Sequence, residues 1–402
     1  MTTKNNDPLS VEELSVGEEK EEEEEKKEKA GGEWRREPQV PVKVFRGHSD
    51  AVNKAQLCFN DSRVLSCSSD RSAILWDVKS GRPLRVFDGL HSETISACAL
   101  IPNSNRMVTV SWDKKMVVTD LETGQTLWKR RLSGLLTSCD SSSDGRLLVC
   151  AADPQRSIYI MDTAEGQTLH HVIDHHHSTI TRCRFDPQTQ RVATVSADRG
   201  IKLWDLQTRK TTVSIRSNHS NVVSDCCFTN NGRFLCTASW DKSLKLWDLQ
   251  TGGFRSHGGT SLQKGHEGSV SSCCFSSDET LLVSGSYDRT VAFWDRYTLC
   301  RILSLKGHTD WVTDVSVSAD KKLVSSASKD CSVRLWNIEN MEEIPEVAEK
   351  RAEEAGLYIL KCEECGKPFP VSRRQTSDLL TKCVFCRLKS PLRYQPQPPP
   401  VM

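Results

Sequence analysis

The chain has 402 residues, of which 37% are hydrophobic and 27% are charged, and its formal net charge is +1. This composition is typical of a globular protein, and the near-zero charge gives no overall field that would attract nucleic acid or an anionic membrane. No apolar run approaches the roughly 18 residues that a membrane helix needs, and the first residues lack the apolar core of a signal peptide. We therefore expect an intracellular protein, cytoplasmic or nuclear, whose 17 cysteines are thiols or metal ligands and not disulfides.

The first segment, residues 1–37, is rich in charge. It contains a run of Glu and Lys from Glu18 to Lys29 and almost no large apolar side chains. Such a segment cannot bury enough surface to offset the entropy that ordering costs, so we predict a disordered charged arm. A charged arm that docks on a partner is the alternative for the same residues.

Beyond this arm, the dipeptide Trp-Asp or a close variant recurs at a nearly constant spacing. Successive copies lie 42 to 47 residues apart, which is the period of a four-stranded propeller blade. The copies begin at Trp76, Thr119, Met161, Trp204, Trp247, Trp294 and Trp336. Thr119 and Met161 keep the register while losing the tryptophan. Alternating apolar and polar residues, as in Leu244 to Trp247, predict half-buried strands.

Three further positions recur in most repeats. A histidine precedes the tryptophan position by about 28 residues, an aspartate precedes it by six, and a hydroxyl residue precedes that aspartate by four. Five repeats carry all four residues, namely His48, Ser66, Asp70 and Trp76; His177, Thr194, Asp198 and Trp204; His219, Thr237, Asp241 and Trp247; His266, Ser284, Asp288 and Trp294; and His308, Ser326, Asp330 and Trp336. The second repeat keeps His91, Thr109 and Asp113. The third lacks the histidine and has Val149 at the hydroxyl position.

This period and these four positions resemble the WD-repeat family over roughly residues 40 to 340. The resemblance implies an all-β fold, a seven-bladed β-propeller that we place at residues 38–340. It also implies that the four recurring side chains form a buried hydrogen-bonded network in each intact blade, so the repeated Ser, His and Asp are structural and not a catalytic triad. We expect the third blade to be held by packing alone and to be the least stable.

The two ends of the repeat region suggest how the ring closes. The last repeat ends at Ile338 without an outer strand, and the charged helical pattern that follows predicts a helical connector at residues 341–357. An apolar strand pattern that includes Val42 and Phe45 precedes the first repeat and has no partner there. We predict that this N-terminal strand closes the last blade, because closure removes an exposed sheet edge.

The C-terminal region carries two C-x-x-C pairs separated by 17 residues, Cys362 with Cys365 and Cys383 with Cys386. This spacing is typical of a four-cysteine zinc site, and four thiolates close the coordination shell, so the zinc ion would be structural. We predict a small zinc-ribbon-like module at residues 358–392, followed by a proline-rich tail at residues 393–402. A cysteine-bearing tail without metal is the alternative.

The resemblance also indicates where a partner would bind. In the family, residues just before the aspartate lie on one face of the propeller near the central channel, as do residues shortly after the histidine. Aromatic residues occupy four such positions, Trp112, Trp240, Tyr287 and Trp311. The last three come from consecutive blades, and exposed aromatic clusters are typical binding anchors. The alternative is that these tryptophans merely pack over the network.

We therefore predict a non-enzymatic scaffold, a monomer within a larger complex, that binds a protein or peptide partner. One alternative is a ubiquitin-ligase substrate receptor, although such receptors carry Trp-Asp-x-Arg where this chain has Lys79 after Trp76. The other is nucleic-acid binding through the zinc module, which the overall charge does not favour. No nucleophile, open metal site or phosphate loop indicates catalysis, and a lone quinoprotein-like motif from Asp120 to Trp128 is too little to hold the cofactor PQQ.

Overall fold

The computed structural model of the chain describes residues 35–36, 39–262, 265–354, 357–364 and 366–372. Its first strands are β1 (Arg35–Arg36) and β2 (Pro41–Arg46). Blade one consists of β3 (Val52–Cys58), β4 (Arg63–Ser68), β5 (Ala73–Asp77) and β6 (Pro83–Phe87). Blade two consists of β7 (Ile95–Ile101), β8 (Arg106–Ser111), β9 (Lys115–Asp120) and β10 (Thr126–Arg131). Blade three consists of β11 (Leu135–Ser141), β12 (Leu147–Asp153), β13 (Ser157–Asp162) and β14 (Thr168–Val172).

The remaining blades repeat this pattern. Blade four consists of β15 (Ile180–Phe185), β16 (Arg191–Ser196), β17 (Gly200–Asp205) and β18 (Lys210–Arg216). Blade five consists of β19 (Val223–Phe228), β20 (Phe234–Ser239), β21 (Leu244–Asp248), the short helix α1 (Phe254–His257) and β22 (Thr260–Ser261). Blade six consists of β23 (Val270–Phe275), β24 (Leu281–Ser286), β25 (Thr290–Asp295) and β26 (Arg301–Lys306). Blade seven contributes β27 (Val312–Val317), β28 (Leu323–Ser328) and β29 (Ser332–Asn337).

The inner strands close into a ring. Each inner strand contacts the next, in the order β3, β7, β11, β15, β19, β23, β27 and back to β3. Strands in the middle of a blade are sandwiched between neighbouring blades, so β5 and β9 are almost wholly buried whereas the outer strand β10 is almost wholly exposed. The predicted seven-bladed all-β propeller is therefore confirmed.

Strand β2 provides the outer strand of blade seven. It pairs antiparallel with β29, from Val42 opposite Trp336 to Arg46 opposite Ser332. Val42 and Phe45 are fully buried, and the Phe45 ring stacks on Trp76 of blade one with centroids 5.6 Å apart. The N-terminal strand thus joins the last blade to the first, as the unpaired apolar pattern predicts.

A belt of side-chain hydrogen bonds links the inner strands around the whole ring. In each blade, a polar side chain near the start of the inner strand donates to a backbone carbonyl of the next blade, over 2.5 to 2.8 Å. The seven donors are Asn53, Ser96, Thr137, Thr181, Ser224, Ser271 and Thr313. The last of these donates to Val52 of blade one, so the belt has no break.

After blade seven the chain forms a 3-10 turn (Met341–Glu343), helix α2 (Pro345–Glu354) and a hairpin of β30 (Leu357–Lys361) and β31 (Pro368–Ser372). Helix α2 packs on blade six, where Val347 is fully buried with Ile302 and Lys350 Nζ donates to the Ile302 carbonyl at 2.9 Å. Among the described residues, no helix is both long enough and apolar enough to cross a membrane.

Candidate partner-binding face

Four blades contain the complete predicted hydrogen-bonded network of histidine, hydroxyl residue, aspartate and tryptophan. In blade seven, His308 Nδ1 lies 2.8 Å from Asp330, His308 Nε2 lies 2.7 Å from Ser326 Oγ, and Trp336 Nε1 donates to the same hydroxyl at 2.8 Å. The equivalent distances in blades one, five and six are 2.8 to 3.0 Å.

The charges of the histidine and aspartate in this network follow from burial and from their hydrogen bonds. Burial lowers the pKa of His308, so its ring is neutral. Burial alone would raise the pKa of Asp330, but the interaction with His308 and the hydrogen bonds from the Ser332 hydroxyl and the Thr309 N–H together outweigh it and hold that pKa below its ordinary value. The neutral imidazole therefore donates from Nδ1 to a carboxylate, and the hydroxyl, which is fully buried against an indole, has no open side for a substrate.

The backbone before each of two network histidines lies close to the tryptophan of the same network. A Cβ atom on Gly307, which precedes His308, would lie 2.7 Å from the Trp336 ring. A Cβ atom on Gly47, which precedes His48, would likewise lie 2.8 Å from Trp76. Both positions therefore require glycine, because a side chain would displace the indole that donates to the network hydroxyl.

Blade four corrects one prediction, because His176 and not His177 occupies the histidine position. His176 Nδ1 lies 3.0 Å from Asp198 and its Nε2 lies 2.8 Å from Thr194 Oγ1. His177 is exposed and contributes only its backbone N–H to Asp198, at 2.8 Å. His176 precedes Trp204 by the 28 residues found in other blades, and the run of three histidines hid this one-residue shift.

Trp204 also departs from its predicted role. It is buried, but within the described residues it makes no hydrogen bond to Thr194, and its ring lies 5.4 Å from that of His170. The Thr194 hydroxyl instead contacts His175 Nε2 at 3.0 Å. Burial lowers the pKa of His175 to about 3, so this ring is neutral and takes the place of the indole.

Blades two and three are incomplete in different ways. Blade two keeps the contacts of His91 with Asp113 at 3.2 Å and with Thr109 at 2.9 Å. In blade three, Ser133 stands 28 residues before Met161, at the missing histidine's position, and its hydroxyl hydrogen-bonds to the Tyr159 hydroxyl. The expectation that packing alone holds blade three is therefore wrong.

Three of the four predicted partner-binding residues meet on one face. The rings of Trp240 and Tyr287 lie 6.3 Å apart, and those of Tyr287 and Trp311 are stacked at 4.4 Å with an interplanar angle of 15°. Trp240 and Trp311 are 39% and 42% exposed. We call these three residues the aromatic ladder. Trp112 is 50% exposed but lies on blade two, which does not adjoin blades five to seven.

Short turns hold the aromatic ladder in place. The backbone N–H groups of Trp240 and Tyr287 donate to the carbonyls of Val222 and Ser269 at 2.9 Å. Ser269 Oγ also donates to the Trp240 carbonyl at 3.2 Å, which ties the blade-six loop to blade five. The exposed Lys329 extends the ladder at one end, with its Nζ 4.1 Å from the centre of the Trp311 ring. This cation was not among the predicted site residues, although it precedes Asp330 just as Trp240 and Tyr287 precede their aspartates.

The central channel beneath this face contains an ion network that the sequence patterns did not reveal. Arg182 Nε lies 2.7 Å from Asp225, and its terminal nitrogen lies 2.9 Å from Asp314 on the far side of the ring. Ser272 Oγ lies between the two carboxylates, 2.7 Å from Asp225 and 2.9 Å from Asp314, and its one proton is donated to either of them. All four side chains are buried, so the network ties blades four to seven together at the centre. Charged residues within inner strands, such as Arg182 in β15 and Asp225 in β19, are the signal that could have identified it.

Only part of the predicted zinc module lies in the described residues. The hairpin of β30 and β31 places Cys362 at its turn, where the Cys362 N–H donates to the Lys367 carbonyl at 3.0 Å and the Gly366 N–H donates to the Cys362 carbonyl at 2.8 Å. Gly366 has a φ of 67°, which favours glycine. Three predicted ligands lie outside the described residues, Cys365, Cys383 and Cys386.

Comparison with known proteins shows which family has this repeat. The family model described as WD domain, G-beta repeat matches residues 39–77, 81–120, 167–205, 210–248, 259–295 and 299–337. The matched stretches leave out residues 121–166, which contain β11, β12 and β13 of the irregular blade three.

Individual relatives differ in how much they share. The human protein named WD repeat-containing protein 88 is 59% identical over 352 residues, which cover 87% of this chain and 74% of that protein. A Dictyostelium discoideum protein named WD repeat-containing protein 89 homolog is 42% identical over 41 residues, or 10% of this chain and 11% of its own length. The Pisum sativum protein named E3 ubiquitin-protein ligase COP1 is 45% identical over 49 residues, or 12% of this chain and 7% of its own. The order of intact and degenerate repeats also resembles a protein called PQQ-repeat and WD-repeat-containing protein, a resemblance that implies no known activity.

Proposed function

The chain belongs to the WD-repeat family, and from this premise we propose that it is a non-enzymatic scaffold that binds a protein or peptide partner on the aromatic ladder. The exposure of the two ladder tryptophans is the observation that carries the proposal. Large aromatic side chains gain most from burial, and exposed clusters of them are typical of binding sites.

The rigidity of the ladder supports the same function. Trp240 and Tyr287 directly precede network aspartates in turns held by backbone hydrogen bonds, and Tyr287 stacks on Trp311 at 4.4 Å, so these side chains are already placed before a partner arrives. Binding then costs little additional ordering, because the entropy of fixing these side chains was lost on folding. Aromatic residues in such positions are the ones that dominate binding energy in protein interfaces.

The two alternative functions have less support. The similarity to the pea ligase covers 49 residues, about one repeat, so it reflects the shared repeat and favours no ligase role for this chain. Binding of nucleic acid would need a basic surface, and the formal net charge is +1.

Replacing two ladder residues tests the proposal. We expect the double variant Trp240→Ala, Tyr287→Ala to lose at least about 30-fold of its affinity for the partner, the factor for a single hot spot of roughly 2 kcal/mol, because hot-spot losses do not simply add. Quantitative affinity purification from cell lysate would compare this variant with the wild-type protein, followed by titration of the isolated partner. Trp112→Ala is the matched control, since it removes an exposed tryptophan from a different blade.

The expected result is a protein that the wild type and Trp112→Ala both retain and the double variant loses. Circular dichroism should show equal thermal stability for all three. Equal recovery of every bound protein by the double variant would exclude the ladder as the binding site.

We also propose that the four C-terminal cysteines hold one structural zinc ion. The described turn supports this, because Cys362 lies in a tight loop in which the Gly366 N–H donates to the Cys362 carbonyl at 2.8 Å and Gly366 takes a positive φ, as loops around C-x-x-C metal ligands do. Zinc, when bound, would supply the cross-link that so small a segment needs in order to fold.

Metal analysis of the purified protein tests the zinc proposal. We expect one zinc ion per chain, lost in the variant Cys362→Ser, Cys383→Ser, which removes one ligand from each pair. Cys300→Ser is the control, since this cysteine lies on blade six and outside both pairs. Zinc content that is unchanged in the double variant would contradict the assignment.

A further inference from the structure

Three cysteines from two neighbouring blades meet in the core of the propeller. Cys227 lies on β19 and Cys236 on β20, both in blade five, and Cys273 lies on β23 of blade six. Their sulfur atoms all lie within 4.8 Å of one another, and Cys227 Sγ is 3.4 Å from Cys273 Sγ. The exposed fraction of the three residues is between 0% and 8%. They form the one such group of potential metal ligands among the described residues, and we call it the thiol cluster.

We propose that the thiol cluster is a binding site for trivalent arsenic, which enters as neutral arsenite. In the binding reaction, As(OH)₃ and three cysteine thiols form three As–S bonds and release three water molecules. Three S–H and three As–O bonds break, each thiol proton leaves with a hydroxyl group as water, and no atom is oxidised or reduced. The product is a three-coordinate arsenic that joins blade five to blade six.

The distances suit a three-coordinate ion. Bonds from a thiophilic ion to thiolate sulfur are about 2.3 Å long, so three sulfurs around one ion lie roughly 3.5 to 4 Å apart. The thiol cluster brackets this range, with one pair at 3.4 Å and all pairs within 4.8 Å. Small rotations of the cysteine side chains therefore form the site without movement of the strands.

The charge of the surroundings selects the trivalent element. The cluster packs in an apolar core that includes Leu244, Val270 and Trp294. At its edge, the carboxylate of Asp225 accepts the Cys273 N–H at 3.2 Å, and the charge of that carboxylate is already paired with Arg182 at 2.7 Å. Three thiolates around monovalent copper or divalent zinc would leave a net negative charge among these apolar side chains, which apolar surroundings oppose, and Arg182 is already paired with Asp225. Three thiolates around trivalent arsenic leave no charge.

Coordination number leads to the same choice. Zinc in structural sites takes four ligands, and no fourth cysteine, histidine or carboxylate joins the group among the described residues. Arsenic in this oxidation state is complete with three sulfur ligands. The reactant is also uncharged at neutral pH, so neither partner must bring a charge into the core.

Entry requires a brief separation of blades five and six, because the cluster is buried. Local opening of this kind is a normal property of folded proteins and is slower than ligand binding at a surface. Uptake is therefore expected over long incubation, and the ladder residues Trp240 and Tyr287, which belong to these two blades, would be held at a fixed separation once arsenic is bound.

Native mass spectrometry of the reduced full chain incubated with sodium arsenite tests this proposal. Each bound arsenic adds the mass of one arsenic atom less three hydrogen atoms when three thiols are used, which identifies the three-coordinate form. Other cysteines of the chain can also react, so the decisive quantity is a difference between variants. We expect Cys236→Ala and Cys273→Ala each to bind one arsenic fewer than the wild type, whereas Cys150→Ala, which removes an equally buried thiol of blade three outside the cluster, binds the same number.

Two variants on different blades guard against a folding defect, and circular dichroism confirms that each is folded. Equal arsenic counts in the wild type and both cluster variants would overturn the proposal. Parallel incubations with zinc and with copper(I) test the charge argument, and a cluster-dependent uptake of either ion equal to that of arsenite would overturn the selection of a trivalent element. None of these measurements involves the partner of the aromatic ladder, so the result is independent of the proposed function.

Discussion

A chain that lacks Pro41–Arg46 is expected to lose the cooperative unfolding transition of the whole propeller. These residues are β2, which pairs with β29 over five positions and buries Val42 and Phe45 between blades seven and one. Truncating one buried phenylalanine costs about 3–5 kcal/mol, and removal of the strand also exposes an unpaired sheet edge. Domains are stable by only about 5–15 kcal/mol, so this loss approaches the total.

Thermal and urea unfolding followed by circular dichroism would measure the effect of the deletion. The single substitution Phe45→Ala should shift the unfolding midpoint in the same direction by a smaller amount. Removal of residues 1–34 is the control, because the pairing of β2 with β29 does not involve them. A deletion variant with the same midpoint as the full chain would show that β2 does not close the ring.

The substitution Asp225→Ala is expected to lower the free energy of unfolding by about 3–5 kcal/mol, the cost of breaking a buried ion pair. Asp225 is fully buried and accepts hydrogen bonds from Arg182 Nε at 2.7 Å and from Ser272 Oγ at 2.7 Å. Its removal leaves Arg182 Nε without its partner on a side chain that is only 10% exposed.

Chemical denaturation of Asp225→Ala and of a surface control would check this value. In the control Glu339→Ala, the lost partner is Lys322 at 2.7 Å, but both side chains are about half exposed, so the loss should stay under about 1 kcal/mol. Similar losses in the two variants would mean that the channel network does not hold the blades together.

The spacing of residues along the sequence was enough to predict the ring of blades and its closure. The recurring Trp-Asp and the unpaired strand at Val42 and Phe45 were sufficient for the ring and its closure, because both depend on short-range periodicity and on the need to cover a sheet edge. The prediction that Trp240, Tyr287 and Trp311 lie close together followed from blade order and from the face positions that the family resemblance implied.

Sequence patterns could not predict which residues replace the usual network side chains in blades three and four. That His175 replaces the indole beside Thr194, or that Ser133 and Tyr159 form a hydroxyl pair in blade three, depends on how side chains fit once the backbone is in place. The contact of Arg182 with Asp314 spans 132 residues of sequence and crosses the channel, so no local period indicates it.

The belt of hydrogen bonds from Asn53 round to Thr313 fixes the width of the central channel. Because each blade is fastened to its successor and the seventh is fastened to the first, no blade can tilt outward without stretching two bonds. The rim of the channel therefore keeps a constant diameter. The aromatic ladder spans three consecutive blades of this ring, so the protein, and not its partner, determines the spacing of 6.3 Å and 4.4 Å between its successive rings.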